Sequence, residues 1–158
     1  MDSNISCKLS KGTHYMESFK DNTIRGLKDI IKNCRHTEDI LRNSAVDSDN
    51  NSLKKIFIYY ADLNSSYIQK LQTEILRLGG DIEDFASEKF YCWEDKTDFN
   101  DKLKICENSV NNAVNNYKEF SLREDILSEV VPVISQQYFG EKEAQKTIKN
   151  IRSAELPV

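Results

Sequence analysis

Glycine and proline are scarce, with 5 and 2 copies in 158 residues. Phosphate-cradling glycine loops and turn-rich β folds both need more of them, so the composition favours long helices. There are only 2 histidines, His14 and His36, and no Glu-x-x-His occurs anywhere. The 4 cysteines, Cys7, Cys34, Cys92 and Cys106, form no Cys-x-x-Cys pair and have no His at zinc-finger distance. A disulfide framework and a zinc site are both unexpected, and Cys34 and Cys106, which fall on apolar helix stripes, read as buried reduced thiols. No apolar run approaches the roughly 20 residues that span a bilayer, and the first residues lack the basic start and apolar stretch of a signal peptide. A cytoplasmic protein without a membrane partner is the expectation. With 22 Lys+Arg against 26 Asp+Glu, there is no broad basic face for a phosphate backbone, which argues against a nucleic-acid partner.

What is present is helical patterning. Residues 1–21 are polar and aperiodic and read as a mobile tail. From there Ile24, Leu27, Ile31, Cys34, Glu38, Leu41 and Ala45 recur at alternating steps of three and four, the seam of an amphipathic helix over about 23–46. Asp47 to Ser52 is a run of turn and capping residues, so a short reversal follows. A second seam, Leu53, Phe57, Tyr60, Asn64, Tyr67, Leu71, Glu74 and Leu78, gives a helix over 53–78 that Gly79-Gly80 closes. Residues 81–97 break the period and hold Phe85, Phe90, Tyr91 and Trp93 among charges. A connection of that length suits a crossover running back along a bundle, with its aromatics packed as a lid.

The third helix covers 98–120 on Phe99, Leu103, Cys106, Val110, Ala113, Val114, Tyr117 and Phe120. Ser121-Leu122-Arg123-Glu124 fits a capping box, so the fourth helix is expected to start at once, over 122–153. Pro132 lies inside that pattern, so the helix should kink there or begin there. Residues 22–154 thus form one all-α domain: a four-helix bundle with short first and last turns and a long middle crossover, the ferritin-like arrangement.

Leu27-Lys28-Asp29-Ile30-Ile31, the run Leu71 to Gly80, Trp93, Cys106-Glu107 with Ala113 and Tyr117, and Gln137-Tyr138 resemble a bacterial family of ferritin-like four-helix-bundle proteins of unassigned function. The resemblance implies that fold over about residues 22–154 and a stress-related setting, and it carries no activity. It also implies a His on the last helix near Gln145, where this chain departs from the pattern.

A carboxylate-bridged di-metal site in such a bundle takes a Glu from each of two helices and a Glu-x-x-His from each of the other two. That set is missing: His14 lies in the tail, and His36 is turned away from the core by its position between two seam residues. Glu38, Glu107 and Glu141 remain as weak carboxylate candidates for a cation. Each helix nonetheless places polar residues in or beside its seam: Glu38, Asn64, Glu74, Gln137 and Glu141, with Glu107 at a flank. Buried polar groups must be satisfied, so these read first as a layer that fixes helix register, with Tyr60, Tyr67, Tyr117 or Tyr138. No nucleophile has a His for its base. The Asn pairs at 111–112 and 115–116, and Lys142, Lys146 and Lys149, read as solvated faces. The expectation is a non-catalytic, cofactor-free binding, assembly or stress-associated module whose partner is a protein or a second copy. The alternatives are a metal-dependent ferritin-like oxidase or iron binder with a non-standard carboxylate site, and a small-ligand binder with the crossover as lid.

Overall fold

Four helices account for the computed structural model, which describes residues 3–46, 48–82 and 98–155, with side chains over 17–46, 48–82 and 98–154. They are α1 (Ser3–Val46), α2 (Asn51–Arg77), α3 (Phe99–Ser121) and α4 (Val131–Glu155). No strand occurs among the described residues.

Local chemistry sets most of the helix ends. Asn50 caps α2, its Oδ1 accepting from the backbone N–H of Ser52 at 2.9 Å and Leu53 at 3.3 Å. At the other end Gly79 takes φ +83°, and the N–H groups of Gly79 and Gly80 return to the carbonyls of Leu76 and Ile75 at 3.0 and 2.8 Å. That pair of bonds is a Schellman closure, which a side chain at residue 79 would strain.

Two boundaries differ from the sequence expectation. Helix α1 starts at Ser3, not near residue 23, so the segment read as an aperiodic tail is helical from its third residue. It holds no proline, and a single interior glycine, Gly12, costs only about 1 kcal/mol relative to alanine, too little to stop a helix already nucleated by packing. The capping box at Ser121 does not form. Ser121 Oγ donates back to the Lys118 carbonyl at 2.8 Å, and α3 gives way to an irregular link that ends in a 3₁₀ turn over Ser128–Val130. The last helix begins at Val131, one of the two outcomes expected from Pro132, which stands in its first turn, where the missing N–H leaves no bond unmade. The link is held by Ile126 and Val130, both buried, and by α1: the Leu127 N–H donates to Thr23 Oγ1 at 2.8 Å and Asn22 Nδ2 to the Asp125 carbonyl at 3.3 Å.

Cross-helix bonds fix the topology. Residues 34, 37 and 44 of α1 meet 117, 109 and 106 of α3, so these helices are antiparallel. Tyr60 meets Thr147 and the Tyr67 carbonyl meets Gln137, so α2 and α4 are antiparallel as well. With α1–α2 and α3–α4 paired as hairpins, α2 and α3 run in the same direction, so α2 ends and α3 begins at opposite ends of the bundle, as a crossover requires. The aromatics Phe85, Phe90, Tyr91 and Trp93 of that crossover lie outside the described residues.

The core divides into two apolar clusters. One gathers Leu27, Ile31, Leu71, Ile75, Phe120 and Ile134, the other Ile40, Leu41, Phe57, Leu103, Val110 and Ile148, with Leu63 packed on both. The first is closed by a tight approach: a Cβ on Gly26 would stand 2.7 Å from Phe120 Cδ2. Gly26→Ala is therefore expected to lower stability by about 1–3 kcal/mol through overpacking, despite alanine's better helix propensity. Urea unfolding at fixed pH checks this; an unchanged or higher midpoint would show that the ring swings aside freely.

Candidate functional site

Between the apolar clusters lies a band of polar side chains contributed by all four helices. Cys34 Sγ stands 3.3 Å from the Tyr117 hydroxyl, which donates to Gln137 Oε1 at 2.8 Å. Gln137 Nε2 in turn donates to the backbone carbonyl of Tyr67 at 3.4 Å. Because the Tyr117 proton is committed to Gln137, the Cys34 thiol must be the donor to the Tyr117 oxygen, so this cysteine is held as S–H. Burial pushes its pKa far above the ordinary thiol range, and the Tyr117 hydroxyl is likewise held protonated. The same band carries Thr37 Oγ1 and Ser109 Oγ at 2.7 Å, and further along, within the second apolar cluster, Ser44 Oγ and Cys106 Sγ stand 3.1 Å apart. Burial pushes Cys106 up to about 11. Cys34 and Cys106 are free thiols.

Glu141 is the charged outlier of this band. It is 1% exposed, and both its carboxylate oxygens lack a hydrogen-bond partner, as does Oδ1 of the equally buried Asn64. Loss of hydration pushes its pKa up from 4.5 to about 8, opposed by the neighbouring Asn64 amide. A neutral carboxylic acid suits this site, since its O–H can serve a buried acceptor such as Asn64 Oδ1. Asn64 Nδ2 donates one of its two hydrogens to the Tyr60 carbonyl at 2.9 Å. Next to Glu141, the Tyr67 hydroxyl occupies the space that a Cβ on Gly140 would fill, so the glycine is what admits the tyrosine between α2 and α4.

The other expected residues stand elsewhere. Glu38 is at the flank, its side chain 22% exposed and paired with Arg42 at 2.9 Å, which also reaches Asp62; Thr37 takes the inward position. Glu74 is 20% exposed and paired with Arg77. Glu107 pairs with Arg152 at 2.8 Å. Of the five residues expected as an inward layer, Asn64, Gln137 and Glu141 are buried while Glu38 and Glu74 are not. No three His, Cys, Asp or Glu among the described residues come together to hold a metal ion. The three weak metal candidates are thus two half-buried, arginine-paired carboxylates and one buried acid. His36 is exposed, and Gln145, at the position where the resemblance implies a His, donates to Asn111 Oδ1 at 2.8 Å. Cys34, Thr37, Ser44 and Ser109 were not anticipated as members of the band, although Thr37 and Ser44 continue the three-and-four spacing from Cys34.

No protein-family profile matches the sequence, and no curated protein matches it. Among solved structures the chain is similar to a two-domain protein from Anabaena variabilis that contains DJ-1/ThiJ/PfpI-like and ferritin-like domains. The TM-score is 0.70 at 12% identity, over 85% of this chain and 37% of that one. This chain therefore spans a little over a third of its neighbour's length. Together with the antiparallel pairing derived above, the likeness defines the class: an all-α bundle of ferritin-like topology. The di-metal centre of ferritin-like carboxylate proteins does not fit the described residues, among which one inward carboxylate and no inward His stand where several ligands are required.

The sign of the pH dependence follows from Glu141. An acid whose folded-state pKa is raised binds its proton in the fold while the unfolded chain has already released it. Stability should therefore fall as pH rises between about 4.5 and about 8, and flatten above, by up to about 1.4 kcal/mol per pH unit from this group. In urea titrations at several pH values, Glu141→Gln should lose this slope and gain stability relative to wild type at pH 8. Parallel pH profiles for the two proteins would show that Glu141 is hydrated.

Proposed function

We propose that the chain is a non-catalytic binding or assembly module on a ferritin-like scaffold, working without a resident metal. One observation carries this reading: among the described residues the inward band consists of Cys34, Asn64, Tyr67, Tyr117 and Gln137 with a single acid, Glu141, whose raised pKa favours a proton over a cation. Its hydrogen bonds run between helices, as suits a layer that aligns them, and leave no open coordination set. The bacterial ferritin-like family of unassigned function that the sequence resembles is consistent with this reading, as is a stress-related setting. Two reduced, buried thiols suit a cytoplasmic home, and no helix among the described residues is long and apolar enough to cross a membrane.

The competing reading, a metal-dependent oxidase or iron binder, would need Glu38, Glu107 and Glu141 to converge. Two of them are engaged by Arg42 and Arg152. Protein purified without chelator is expected to hold far less than one iron or manganese per chain by elemental analysis, and to consume no oxygen on addition of ferrous iron. Stoichiometric metal that disappears in Glu141→Gln would establish the oxidase reading in its place.

A further inference from the structure

Hydrogen bonding in the polar band is incomplete at one place, the α2–α4 edge. Glu141 is 1% exposed and neither of its carboxyl oxygens has a partner, and Oδ1 of Asn64, equally buried, has none either. Buried polar atoms left in this way are rare in folded proteins. The Tyr67 hydroxyl belongs to the same place. Tyr67 is an electrostatic neighbour of Glu141, and its hydroxyl stands against Gly140, the residue before Glu141. The Tyr67 backbone carbonyl accepts from Gln137, but the hydroxyl has no hydrogen-bond partner among the described residues.

Donors and acceptors do not balance within these side chains alone. A neutral Glu141 has one hydrogen to give, and Asn64 Oδ1 can take it. The other carboxyl oxygen of Glu141 is then still bare, while the Tyr67 hydroxyl hydrogen has no acceptor. The two groups are complementary neighbours, yet no hydrogen bond joins them. A single water reconciles such a pair, because it accepts from the hydroxyl and donates to the carboxyl oxygen. Its second hydrogen is left for the free lone pair of Asn64 Oδ1. The total of three bonds matches the roughly three that a buried water makes.

The surroundings favour water over a larger or charged occupant. Tyr67 is 6% exposed, and Leu63 Cδ2 lies 3.7 Å from the point where a Cβ on Gly140 would stand, so the edge is narrow at this level but adjoins solvent. A neutral acid offers a cation no charge to pair with, and the oxygens of Glu141 and Asn64 are fewer than the six or so that a hard cation collects. One bridging water completes the bonds of a neutral carboxylic acid. It falls far short of the shell that an ionised carboxylate keeps in bulk solvent, so the acid stays protonated.

We propose that Glu141, Asn64 and Tyr67 form a binding site for one internal water molecule between α2 and α4. The site rests on the metal-free reading above, with Glu141 neutral. In a high-resolution crystal structure of the full chain, an isolated density peak is expected at about 2.6–3.2 Å from the Tyr67 hydroxyl, a Glu141 carboxyl oxygen and Asn64 Oδ1. Magnetic relaxation dispersion of solvent water counts long-lived internal waters, and Tyr67→Phe and Glu141→Met should each hold one fewer than wild type. An equal count in wild type and either variant would overturn the water site and leave the metal-free reading standing. So would a direct hydrogen bond from Tyr67 to Glu141 with no density between them. A peak with anomalous signal and contacts of about 2.0–2.6 Å is a cation, and would overturn both.

Discussion

One run of hydrogen bonds passes through all four helices: from the Cys34 thiol on α1 to the Tyr117 hydroxyl on α3, to the Gln137 amide on α4, to the Tyr67 carbonyl on α2. The apolar clusters on either side could tolerate a helix sliding by one turn, because Leu, Ile and Val exchange contacts at small cost. The polar run could not. A slip would leave a buried hydroxyl or amide without its partner, at about 1–3 kcal/mol for each group. Alignment of the two hairpins is thus fixed where the interior is least apolar, and the positions of Thr37 against Ser109 and Tyr60 against Thr147 follow from it.

Much of this was legible in the sequence, because helical periodicity is a property of the chain before it folds. The seams that hold Asn64, Gln137 and Glu141 stand in unbroken three-and-four spacing, and those residues are inside. Glu38 fails by one position. A stripe of period 3.6 leaves residues 37 and 38 nearly equivalent, and the choice was made by partners that lie far off in sequence: Ser109 for Thr37 on one side, Arg42 with Asp62 for Glu38 on the other. Glu74 was drawn outward in the same way by Arg77.

The two misread boundaries have different causes. The first turns of α1 hold only a few apolar residues and include Gly12, so their helical pattern is faint in the sequence beside the dense seam that follows. Ser121 to Glu124 spells a capping box in sequence, but Ile126 and Val130 are buried from an irregular link, and Pro132 offers a ready start ten residues after Leu122. Local signals were right about what each residue prefers. Tertiary burial decided which preference was honoured.

The bundle is asymmetric in cross-section. Along the α1–α3 side the inward residues are small, among them Gly26, Thr37, Ser44, Cys106, Ser109 and Ala113, so the helices lie close. Along the α2–α4 side Tyr60 and Tyr67 stand between the helices, and contact between them is the sparsest of the four sides. Such a cross-section is a wedge, sewn shut along one edge and propped along the other by two aromatic struts. Separation of the described helices would cost least along the propped edge, where their contacts are fewest, and Glu141 is seated just inside it.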